Sequence, residues 1–250
     1  MSRDDELKEK LADVFGLEGD DRDTALECGA DVEFPVHESY GEDAITVVPG
    51  KEPGTAVVGY LSHDDDAADF FENDDGAGEF KEFRSESERD AFVAEKKREG
   101  KIALVVDKYA HGNVHYSVAN TRDYPDRRWD VAPCGVFVPC EDVVDTYKRA
   151  VRKAQRAFPA GPEREKAKGE AMDALVKDCN ATLDEYSKWC NGEVYGVVTE
   201  VWTFDKDGLA FERQSSDHCW GYIGDDYARG VLADDLKRIG GEPPAPAPAP

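Results

Sequence analysis

Two stretches between Glu141 and Cys190 repeat apolar side chains at helical spacing, and they constrain the fold more than any other feature of the chain. In 141–157 the stripe is Val143, Val144, Tyr147, Val151 and Ala154; in 163–190 it is Met172, Leu175, Val176, Cys179, Leu183, Tyr186 and Cys190. A stripe of this kind predicts a helix with one face buried and the rest solvated. Pro159 to Pro162 separates the two helices and Gly192 ends the second. Two long one-sided helices need an apolar surface to lie on.

The remaining patterned segments supply one as β-structure. Val32-Glu33-Phe34, Ile45 to Val48 and Ala56 to Leu61 read as strands, punctuated by Pro49-Gly50 and Pro53-Gly54. Ile102 to Val106 reads as a buried strand, Asn113 to Ala119 as its hairpin partner across His111-Gly112-Asn113, and Gly135 to Val138 as another strand. Val194 to Phe204 and Leu209 to Arg213 form a hairpin across Asp205 to Gly208, and Cys219 to Ile223 is a third strand before a helix over 225–238. These connections are too short for crossover helices, so the pairing is antiparallel.

Shorter elements complete the chain. Leu7, Leu11, Val14 and Phe15 predict a helix over 3–15, followed by an Asp-rich loop. Residues 62–84 read as an acidic loop anchored by Phe70, Phe71 and Phe80; Ser85 with Glu88 forms a capping box for a helix that Gly100 closes. The tail from Pro243 alternates Pro and Ala, a composition that stays extended and solvated. The expected fold is therefore α+β, a mainly antiparallel sheet with the two long helices packed on one face. The expected organisation is an N-terminal helix and acidic linker (1–25), a single α+β domain (26–240) and a Pro/Ala tail (241–250).

Charge narrows function. The 250 residues carry 55 Asp and Glu against 31 Lys and Arg, a formal net charge of −24. Such an average field repels phosphate, which counts against nucleic-acid and anionic-membrane binding. A hydrating acidic shell, as in a salty cytosol, is one source of the excess, and Asp-rich, Val- and Ala-rich usage with few Ile suits a halophilic host. Mimicry of a nucleic acid is a second, and binding of cations or basic partners a third. No apolar signal region follows Met1 and no run approaches the ~20 apolar residues that span a bilayer. The expectation is a cytoplasmic protein without membrane partner, its six cysteines (Cys28, Cys134, Cys140, Cys179, Cys190 and Cys219) free thiols in a reducing compartment.

Several constellations could carry chemistry. Asp107, His111 and His115 are the catalytic candidates, because imidazole and carboxylate together serve proton transfer or zinc. They sit on strand and turn, however, rather than at the helical spacing of a zinc protease motif. Tyr109, Trp129, Asp130, Trp220 and Tyr222 are the binding candidates, aromatic platforms with a carboxylate. Aligning Gly76 with the invariant glycine of a calcium loop puts Asn73, Asp75 and Glu82 at ligand positions, but Phe71 stands where the first Asp belongs, so an acidic turn is the simpler reading. Asp64-Asp65-Asp66 reads as a solvated helix start. Cys134 and Cys140 have the wrong spacing for a zinc knuckle, Cys179 lies on a core stripe, and His218-Cys219 on a strand point to opposite faces. The basic residues from Lys148 to Arg156 follow the polar side of their helix and read as a solvated face. No phosphate loop, nucleophile elbow or dinucleotide fingerprint is present, and no cofactor is expected.

Three stretches carry a resemblance when taken together: Asn73-Asp74-Asp75-Gly76-Ala77-Gly78-Glu79-Phe80; Tyr109-Ala110-His111-Gly112 through Tyr116-Ser117, Trp129-Asp130 and Gly135 to Val138; and Gly192 to Gly196 through Cys219-Trp220-Gly221-Tyr222-Ile223-Gly224. Over about residues 70–238 the chain resembles a family of uncharacterised proteins of tailed phages and archaeal viruses. The resemblance implies a viral or proviral accessory gene and brings no activity with it. The expected function is a non-enzymatic accessory or host-interaction protein with a protein partner. The rivals are a small metal-dependent or hydrolytic enzyme using the His111/His115 region, and an acidic nucleic-acid mimic.

Overall fold

The computed structural model describes residues 3–28, 45–71, 77–124 and 130–241. In chain order the elements are α1 (Arg3–Phe15), α2 (Gly19–Cys28), β1 (Ile45–Pro49), β2 (Thr55–His63), β3 (Glu79–Glu82), α3 (Glu86–Arg98), β4 (Leu104–His111) and β5 (Asn113–Val118). They continue as β6 (Val131–Val138), α4 (Glu141–Ala157), α5 (Pro162–Cys190), β7 (Val194–Asp205), β8 (Ala210–Ile223) and α6 (Asp225–Ile239). No described helix is long and apolar enough to cross a membrane.

Both sheets are antiparallel throughout. One has the order β1-β2-β7-β8 and the other β3-β6-β4-β5. The chain divides accordingly into two compact units, 1–67 with 193–250 and 68–192. Turn and strand signals are local, and they do not say which strands share a sheet.

In the first unit the central strand β2 is buried on both faces. Ala56 and Val58 join Trp202, Phe211, Leu7, Leu11 and Ala25 in one apolar cluster, while Val57 and Leu61 join Val197, Ala228, Leu232 and Leu236 in another. Strand alternation explains the split: α1 and α2 cover one face and α6 the other. Gly59 lies where α6 approaches most closely, since a Cβ there would fall 2.8 Å from Leu232 Cδ1. The 3–15 periodicity predicts α1 well. The Asp-rich loop expected after it is instead α2, whose first turn places Asp20 and Asp21 at the helix N-terminus, where carboxylates are favoured. Of its described side chains only Ala25 is buried, so no stripe announced it. Residues 64–71 contain no helix, so Asp64-Asp65-Asp66 starts none; Asp64 instead donates its N–H to Val194 O at 2.9 Å. The expected third strand, Cys219 to Ile223, is the far end of β8, which pairs with β7 along its length through two register shifts. Its polar middle, Gln214 to His218, hides a strand because an edge needs no apolar side chains.

The second unit is built around α5. Leu175, Cys179 and Leu183 pack on Val106, Tyr116, Val118 and Phe137, and α4 leans Val143 and Tyr147 into the same cluster. The long pair therefore does not lie side by side on the single expected sheet: two sheets and six helices are present among the described residues, α5 rests on β5, and α4 packs on α5. An apolar stripe states that a helix face is buried, not what buries it. Ser85 caps α3 as the sequence predicts, its Oγ accepting from Glu88 N–H at 3.3 Å. The loop expected over 62–84 contains the end of β2 and the short strand β3.

Candidate functional site

Alternation along the β4–β5 hairpin decides which candidates meet. Val106, Tyr116 and Val118 face the α5 core, so Asp107, Tyr109 and His111, with their partners Ser117 and His115, occupy the opposite face. There Tyr109 stacks on Tyr124 with ring centroids 4.8 Å apart and planes 5° from parallel. His111 and His115 flank Tyr109, each 6.4 Å away. His111 is 72% exposed, and its Nδ1 lies 3.4 Å from Asp130 Oδ2. Tyr109, His111, His115 and Asp130 thus form one surface, and Gly112, at φ 83° in the left-handed region, makes the tight bend that presents it.

Asp107 shares the face but not the role. Its side chain is 2% exposed and accepts a hydrogen bond from Asn120 N–H at 3.0 Å. Asn120 has φ 62°, a left-handed turn conformation that Asn tolerates, so Asp107 anchors the turn after β5. Beside it Tyr124 donates its hydroxyl to buried Ser117 Oγ at 2.9 Å, which locks the stacked ring in place. Tyr124 escaped the sequence reading because it belongs to no periodic segment; the Asp-Tyr-Pro loop around it signals a turn and nothing more.

The other candidates lie elsewhere. Trp220 and Tyr222 belong to the first unit. Trp220 is 46% exposed and lies flat on Gly196, where a Cβ would come within 2.3 Å of its ring, so that glycine is required by the close approach. His218 is 6.2 Å from Trp220, and Tyr222 shares a hydrogen bond with Cys219 that pushes its phenol up to about 12. Trp129, Asn73 and Asp75 lie outside the described residues. Glu82, the remaining calcium candidate, accepts from Tyr116 Oη at 2.6 Å and from Lys108 Nζ at 3.1 Å. Burial and this carboxylate push the Tyr116 phenol strongly upward. Among the described residues no three His, Cys, Asp or Glu side chains gather as a metal site.

The described cysteines outside α2 are free thiols. Burial raises Cys134 to about 11 and Cys179 to about 12, so both stay protonated and poor nucleophiles at neutral pH. A further polar centre, not expected from the sequence, is Glu200 on β7. It is 1% exposed and accepts from Trp202 Nε1–H and Arg213 Nη1–H, each at 3.0 Å, with Tyr60 Oη at 3.5 Å. A lone carboxylate inside the run Val197 to Trp202 was its one signal. No protein-family model matches the chain, and no curated protein or solved structure matches it.

Proposed function

We propose that this protein is a non-enzymatic accessory protein of a virus or mobile element, and that it works by gripping a protein partner with the hairpin face of β4 and β5. The observation that carries the reading is the Tyr109–Tyr124 stack, pinned from beneath by Ser117 and bordered by His111, His115 and Asp130. Tyrosine supplies large contact area with little side-chain entropy to lose, and interface hot spots are rich in it. A ring already stacked and hydrogen-bonded loses still less on docking.

The chemistry of the rim suggests what is gripped. An aromatic face attracts a guanidinium, and Asp130 stands within the same surface to pair with it. A partner segment presenting an arginine fits both. The viral setting rests on the resemblance carried by Tyr109 to Ser117 and the other matched stretches.

The test is recovery of a partner from host lysate by the wild-type chain and by Tyr109→Ala and Asp130→Asn. The reading expects a partner that the wild type retains and both variants lose, with unchanged circular dichroism. A partner held equally by all three would move the contact elsewhere. No partner, together with a stoichiometric metal by elemental analysis, would sink the reading in favour of an enzyme built on His111 and Asp130.

A further inference from the structure

The acidity of the chain is not evenly spread. Residues 1–67 with 193–250 hold 30 Asp and Glu against 10 Lys and Arg, a net −20, whereas 68–192 hold 25 against 21, a net −4. Within that second unit the solvent side of α4 carries Lys148, Arg149, Arg152, Lys153 and Arg156, with no acidic residue between them. All five are exposed.

They make few polar contacts. Arg22, Arg89, Arg122, Arg213, Arg229 and Arg238 each reach a carboxylate. Among the described residues Arg152, Lys153 and Arg156 form no ion pair or hydrogen bond; Arg149 bonds only Asp145 O and Thr146 Oγ1, and Lys148 reaches Asp145 at 3.8 Å. In a chain with 55 carboxylates, leaving this row unneutralised keeps its donors available. Lys148, Arg152 and Arg156 follow one another every fourth residue, about 6 Å apart along the helix axis. An open depression of about 440 Å³ runs along Arg149, Arg152, Lys153, Arg156 and Ala157.

We propose that this face of α4 binds the phosphate backbone of duplex DNA. Three guanidiniums suit phosphate oxygens in a forked geometry. A protein partner would ask for an apolar or aromatic anchor at the centre of the contact, and single-stranded nucleic acid for aromatic rings to stack on. The face has neither: Tyr147, Val151 and Ala154 turn inward, and only Ala150, Gln155 and Ala157 separate the cations. Contact to a duplex backbone needs none of these, only cations in a row. The net charge of −24 does not forbid it, because screening limits the reach of distant carboxylates to about 8 Å at physiological salt. Binding is without sequence preference, since nothing on the face reads a base edge.

The experiment is fluorescence anisotropy of a labelled duplex titrated with the full chain between about 0.05 and 0.2 M salt. Three to five phosphate contacts predict a slope of log affinity against log salt of about −3 to −4.5. Arg152→Glu with Arg156→Glu lowers low-salt affinity at least about tenfold and flattens the slope by about 2. Arg152→Gln with Arg156→Gln does the same more gently and keeps the test open should the reversal disturb the helix. Lys237→Glu, in the other unit, changes nothing. No duplex binding at low salt would overturn the proposal, as would binding indifferent to both α4 variants. Tighter binding of a single strand, or equal binding of a polyglutamate peptide with the same variant sensitivity, would overturn it too and reassign the row.

Discussion

The two units are equal in length and differ in how far helices cover their sheets. In 1–67 with 193–250, helices cover both faces: Leu7 and Leu11 seal one side of β2, Leu232 and Leu236 the other. In 68–192 α5, with α4 packed on it, covers one face; on the other α3 packs against β6 and Val136 and Asp107 are buried, while the β4–β5 end displays Tyr109, His111 and His115. The first unit carries the net −20 and the second −4. The first sheet is covered along β2 on both faces, whereas the β4–β5 end of the second keeps His111 and His115 exposed beside a fixed tyrosine stack.

The sharpest way to break this comparison is to hollow out one unit. Trp202→Ala removes a fully buried ring and is expected to cost about 3–5 kcal/mol. Hydrogen exchange should accelerate in β2 and β7 while β4 to β6 keep their protection; equal loss in both sheets would refute the two-unit description. Glu200→Ala comes next, about 1–3 kcal/mol by denaturant titration, since it strands the Trp202 indole N–H and one side of Arg213.

Ionic strength probes the charge contrast without mutation. Lowering salt from about 1 M to about 0.01 M lengthens screening from about 3 to about 30 Å, and self-repulsion should loosen the −20 unit more than the −4 unit. Indifference of both to salt would undo the reading of the acidic surface as a solvated shell. Alkali tests the opposite unit. Tyr116 and Tyr186 are held protonated by burial, so their folded pKa lies above the unfolded value. Their stabilisation is present below about pH 10 and is lost as pH climbs above it, because only the unfolded chain then releases the protons. Tyr116→Phe should shift the alkaline unfolding of β4 and β5 upward. The smallest effect is Ser85→Ala, about 1 kcal/mol by thermal melting, from the loss of one helix cap.

Much of the architecture was legible in the sequence, and the reasons are specific. Val143 to Ala154 and Leu175 to Cys190 marked α4 and α5 because helical periodicity survives any tertiary setting, and Ser85 marked the start of α3 because a cap is a local bond. Three elements escaped, the four-residue β3 among them. Helix α2 buries little beyond Ala25, and the middle of β8 is an exposed edge, so neither left an apolar pattern. At the candidate surface, the hairpin register put Tyr109 opposite His115 as alternation requires. Tyr124 came from a loop, Asp107 turned inward to Asn120, and Trp220 and Tyr222 went to the other unit.

By itself the sequence determined most of the helices and strands, that the strands pair antiparallel, and that the chain carries a large carboxylate excess. Only the tertiary structure decided that there are two sheets, that the β4–β5 end of one presents Tyr109, His111 and His115, and that Arg152, Lys153 and Arg156 of α4 form no ion pair among the described residues. The reason is range: periodicity, caps and turns act over a few residues, whereas sheet membership is settled by strands such as β2 and β7 that meet across more than a hundred.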